Sequence, residues 1–89
     1  MNKVQKEQIE EALEKVLAEE SDYKCLRDIH YKAGRKDVAR NYEELRWAKR
    51  AQAAGMLKVL HMLGYETKKD FFDGNPRFVI TNFSERSAK

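Results

Sequence analysis

The groups in this 89-residue chain that could do chemistry are one thiol, two imidazoles and an excess of lysine and arginine. A nucleophile–base pair would need Cys25 or a serine beside His30 or His61. Cys25 and His30 are five residues apart on one predicted helix, about 140° apart around its axis, so they diverge. His61 falls at the far end of another helix. Cys25 reads better as a small core residue. Zinc needs paired Cys or His ligands, and these three residues are isolated. A calcium loop with Gly74 at its sixth position would put Lys69, Phe71 and Ile80 where oxygen ligands are required, which excludes it. The four glycines are scattered and build no phosphate-cradling loop. The expectation is a protein with no catalytic residues, no metal and no cofactor.

What remains is surface. Lys36, Arg40, Trp47, Arg50 and Lys58 fall within about 80° of one another at 100° per residue on a helix. Cations around an indole can hold phosphates while the ring stacks a base. The plainer reading packs Trp47 inside and leaves the cations on the rim. The charge distribution favours the same segment. Residues 1–21 hold three Lys and six Glu, a balance of −3. Residues 22–58 hold ten basic and five acidic groups, or +5, and residues 59–89 hold five and four, or +1.

The elements that must carry these residues read as three helices, the third long, followed by a C-terminal β-hairpin. The class is α+β, predominantly helical. Residues 3–20 form an amphipathic helix with Asn2 as N-cap and a stripe of Ile9, Ala12, Leu13, Val16 and Leu17. Ser21-Asp22 is expected to stop it and to cap a second helix over 22–33. The apolar face of that helix is Tyr23, Leu26, Ile29, His30 and Ala33, and Gly34 sits where a C′ glycine ends a helix. The third helix runs over 37–63, to a stop at Gly64-Tyr65. It would be about 40 Å long, against a radius of gyration of about 12 Å for a compact domain of this size. Either it breaks near residues 52–55 or it projects and needs a partner.

Within that helix Tyr42, Leu45, Lys49, Gln52, Met56 and Val59 follow steps of three and four, a candidate oligomer seam with a polar centre. Ala51 and Gly55 offer small-residue spacing for close approach of a second backbone. Over 65–83 the period changes to two, with Asp73-Gly74-Asn75-Pro76 between two strands. A four-residue loop pairs Phe71 with Phe78, and this register is preferred over a two-residue Asp-Gly loop that sets Phe71 opposite Pro76. Residues 1–83 make one domain, and 84–89 a polar tail expected to be mobile.

One cysteine excludes an internal disulfide, and no apolar run reaches the length of a membrane span. The start of the chain is polar and soon acidic, unlike a secretion signal, so a cytoplasmic location is expected by elimination. Together these features predict a small non-enzymatic interaction protein. It would be a homodimer through the third helix, acting as adaptor or inhibitor of another macromolecule. The alternative is a small nucleic-acid-binding regulator.

Overall fold

The computed structural model describes residues 1–72 and 75–82. It contains two helices, not three. They are α1 (Lys3–Lys32) and α2 (Lys36–Met62), followed by the antiparallel strands β1 (Thr67–Phe72) and β2 (Asn75–Ile80). The expected first and second helices are one continuous helix of 30 residues, and Ser21-Asp22 lies inside it. Serine and aspartate each cost only about half a kcal/mol in a helix interior. There is no glycine or proline at that point to force a break. Continuity also keeps one face in phase: Ile9, Val16, Tyr23 and His30 are seven residues apart, as are Leu13, Glu20 and Arg27.

The helix ends are set locally. Asn2 Oδ1 accepts from the Gln5 N–H at 2.8 Å, and Gln5 Oε1 accepts from the Asn2 N–H at 2.9 Å, a reciprocal capping box. At the other end of α1, Gly34 N–H donates to the Tyr31 carbonyl and Arg35 N–H to that of His30. With Gly34 at φ +80° this is a Schellman stop. α2 ends identically: Gly64, at φ +91°, donates to His61, and Tyr65 N–H to Leu60. A connection of three residues obliges the helices to run antiparallel.

α2 is unbroken through Gly55, where an added Cβ would meet nothing within 4 Å. At 27 residues it is about 40 Å long, and with α1 it draws the chain out to 56 × 26 × 17 Å. The radius of gyration is 16.0 Å, well above the roughly 12 Å of a compact chain of this length.

The apolar core lies at one end, where the hairpin folds back onto the helix pair. Leu13 and Val16 of α1, Ala53 and Leu60 of α2, and Ile80 of β2 are buried together, with Ile9, Leu17, Met56, Leu57, Tyr65 and Phe78 packed around them. Glu10 is the buried charged residue of this end, 7% exposed. Its Oε1 accepts from Lys6 Nζ at 3.0 Å and its Oε2 from the Ile80 N–H at 2.8 Å. The carboxylate thus satisfies an outward donor of β2 and fastens the hairpin to α1.

The strands pair Thr67↔Ile80, Lys69↔Phe78, Phe71↔Pro76 and Phe72↔Asn75. The expected Phe71–Phe78 pairing is therefore wrong by two residues, and the register is that of the short Asp-Gly connection. Both registers place Phe78 and Ile80 on the core side, so apolar alternation could not choose between them. Asp73-Gly74 themselves lie outside the described residues, as do residues 83–89, including the tail expected to be mobile. The foot of the hairpin is closed by Asn82. Its Oδ1 accepts from the Glu66 N–H at 2.7 Å, and its Nδ2 donates to the Gly64 carbonyl at 3.0 Å.

Candidate functional site

Most of the candidate residues lie on two flanks of α2, and the face between them is spent on α1. Ala39, Arg46, Ala53 and Leu60, spaced by sevens, form that inward face. Three of the four are buried, and the Arg46 side chain is 14% exposed. The heptad that packs inside the chain is thus displaced from the expected seam.

In the half nearer the Gly34 turn, the inward face is ionic. Arg27 of α1 bonds Glu43 of α2 through Nη1 and Asp28 through Nη2, the latter at 2.8 Å. Arg46 Nη1 donates to Glu43 at 2.8 Å, and its Nε lies 3.6 Å from Glu20. Arg50 Nε lies 3.7 Å from the same Glu20 oxygen, and Lys49 Nζ sits 2.9 Å from Glu19. The hydrogen bond from Arg27 holds the Glu43 carboxyl below its ordinary value, and Glu43 in turn raises the Arg27 guanidinium. Closer to the turn, Tyr42 stacks on Tyr23 at 6.2 Å between centroids and on His30 at 5.3 Å. His30 Nδ1 accepts from Arg35 Nε at 2.8 Å. Glu19, Glu20 and Arg46 were not singled out from sequence. Their signal was phase: Glu20 and Arg27 continue the Leu13 heptad, and Arg46 continues that of Ala39 and Ala53.

The six expected seam residues separate into two groups. Tyr42, Lys49 and Met56 turn toward α1 or the core of their own chain. Leu45, Gln52 and Val59 are exposed, with Leu45 at 45% and Val59 at 55%. Leu63, 67% exposed, extends the same line. At 100° per residue these four lie within about 40° of one another. Ala51 and Gly55 are also exposed.

The opposite flank carries Lys36, Arg40, Trp47, Arg50 and Lys58, all exposed. Trp47 is 54% exposed, so its own chain does not pack it inside. Its ring is gripped by two guanidiniums, Arg46 at 5.4 Å and Arg50 at 4.9 Å from the centroid. Beside this flank, between the helices at the turn end, lies an open groove of about 510 Å³ whose lining includes Tyr31, Lys36 and Arg40.

The thiol and the imidazoles are not brought together. Cys25 is exposed and not a core residue. Its position on the outer side of α1 follows from the continuous helix, which turns Tyr23 and His30 inward instead. His30 is held by Arg35, and His61 Nε2 lies 3.1 Å from Thr67 Oγ1 at the other end of the molecule. No helix of the described residues is long and apolar enough to cross a membrane. No family model, curated protein or solved structure matches the chain.

Proposed function

We propose that this is a non-enzymatic interaction protein that pairs with a second copy of itself along α2, the pair serving as an adaptor or inhibitor for another macromolecule. The observation that carries this reading is the exposed line of Leu45, Gln52 and Val59 on an unbroken helix, extended by Leu63 at its C-cap. An exposed line along one side of a helix, apolar at three of its four positions, is what a partner helix covers. Here the chain's own first helix is already engaged by a different face. Gln52 is the polar residue of the line, and a single polar seam position selects register and partner number at some cost in stability. Neighbouring Met56, packed against the core yet only partly covered, would be sheltered further by a helix laid on this flank.

The test is molar mass in solution, by size-exclusion chromatography with light scattering. At tens of micromolar the expected particle has twice the chain mass of 10.5 kDa. The Leu45→Glu, Val59→Glu double variant places charge on the exposed line without touching the core, so it should give a folded monomer with an unchanged helical circular dichroism spectrum. A wild-type particle of 10.5 kDa under these conditions ends the proposal.

A further inference from the structure

We infer that the Trp47 flank of α2, continued by the turn-end groove, binds single-stranded nucleic acid. Phosphates would be held by Lys36, Arg40, Arg50 and Lys58 and a base stacked on the indole. The inference is independent of self-pairing, because this flank and the Leu45–Val59 line lie about 150° apart around the helix.

Three observations meet here. First, Lys36, Arg40 and Lys58 are exposed and make no ion pair with any described residue. They are the cations that can take up phosphates without breaking an existing bond. Arg50 is shared more loosely, half exposed and 3.7 Å from Glu20. Second, the large exposed aromatic at the centre of these cations is held in place. The guanidiniums of Arg46 and Arg50 fix the ring of Trp47, yet more than half of its surface stays open. A pre-positioned ring loses little side-chain freedom when a base stacks on it, and such stacking is worth about 1–3 kcal/mol per base. Third, the flank leads into the groove, where Tyr31 stands 62% exposed beside Lys36 and Arg40. The acidic residues of that groove, Asp28 and Glu43, are each engaged by a cation of the chain, both by Arg27 and Glu43 also by Arg46. From Lys36 to Lys58 the track is about 33 Å long, enough for several nucleotides.

A single strand fits better than a duplex. The ridge of α2 farthest from α1, which would have to enter a major groove, is Asp37, Glu44, Ala48, Gly55 and Met62 by helical position. It presents two carboxylates and no cation to the phosphates on either side. The cations sit on the flank, where a flexible strand can follow them and a rigid duplex cannot.

The test uses a fluorescein-labelled single-stranded oligothymidylate and its duplex with oligoadenylate, titrated with the full chain at low and moderate salt. Expected are a rise in anisotropy for the single strand and much weaker binding of the duplex. The logarithmic salt slope should be about −2 to −3 for three or four phosphate contacts. Trp47 is the only tryptophan, so its intrinsic fluorescence reports on stacking directly and should be quenched in step with binding. Arg40→Glu with Lys58→Glu, both at exposed positions, should lower affinity by roughly tenfold or more with an unchanged fold. Trp47→Leu should weaken the single strand while leaving the salt slope in place. No binding at low salt overturns the inference. So does equal binding of strand and duplex without quenching, which would mark a nonspecific cationic surface.

Discussion

The two halves of the helix pair are built on opposite principles. Toward the hairpin, the interface is Leu13, Val16, Ala53, Leu60 and Ile80, sealed from water. Toward the Gly34 turn, it is Glu20, Arg27, Glu43, Arg46 and Lys49 with stacked Tyr23, Tyr42 and His30. Apolar burial contributes about 25 cal/mol per Å² removed from water and asks for no particular orientation. Half-exposed ion pairs contribute little each, because water already solvates the partners and salt screens them. The hairpin end therefore supplies the stability. The ionic end supplies alignment: charges at fixed positions on two helices are satisfied in one registration and opposed in most others. Both flanks proposed to bind partners run the length of α2 and so depend on both halves being in line.

The comparison breaks most readily at Leu13, which is fully buried. Leu13→Ala should cost about 2–5 kcal/mol, and a urea denaturation series would detect it at low and high salt alike. A loss well under 1 kcal/mol would mean the hairpin end is not the source of stability. Glu10→Ala should follow, at about 1–3 kcal/mol, since it strands the buried Ile80 N–H. Hydrogen exchange at Ile80 should accelerate more than exchange in the middle of α1; uniform acceleration would show that Glu10 does not fasten the hairpin in particular.

Arg46→Met should be milder than either, and its effect should shrink in high salt, where the ion pairs it removes are already screened. A salt-independent loss would assign Arg46 to packing instead. Gly55→Ala should stabilise the chain by about 0.5–1 kcal/mol, because the site is helical and open. Destabilisation, or loss of self-pairing, would reveal a close backbone approach at Gly55 after all. The smallest effect expected is one of pH. Glu43 is held below its ordinary value of 4.5, chiefly by Arg27. Its pairing therefore stabilises the folded chain fully above that value and is lost as the pH falls through the lower folded one. Urea midpoints measured across the acid limb should decline more gently in Glu43→Gln than in the wild type, and superimposable limbs would remove the assignment.

Much of the candidate surface was legible in advance, since a helical wheel needs only the helix. The flank of Lys36, Arg40, Trp47, Arg50 and Lys58 comes together as its spacing indicates. The exposure of Trp47 does not follow from spacing, because an indole at that angle could equally have met a third helix. The inward face of α2 was not legible. Two heptads interleave on α2, one through Ala39, Arg46, Ala53 and Leu60 and one through Leu45, Gln52 and Val59. The second drew the sequence reading as a candidate oligomer seam, and the first was not read as an inner face. What turned the first one inward was α1, whose Glu19, Glu20 and Arg27 find Lys49, Arg46 and Glu43 there.

By itself the sequence determined the features that close within a turn or two of chain. These are the Asn2–Gln5 cap, the stops at Gly34 and Gly64, and the change from a helical to an alternating period after residue 64. Each is made by neighbours that meet whatever the rest of the molecule does. Tertiary structure decided whether Ser21-Asp22 would end a helix, which heptad of α2 would face inward, and which of two in-phase registers the hairpin would take. Those choices differ little in local energy. They are settled by ion pairs across the helix pair and by a carboxylate that reaches from residue 10 to residue 80, partners too distant in sequence for any local pattern to record.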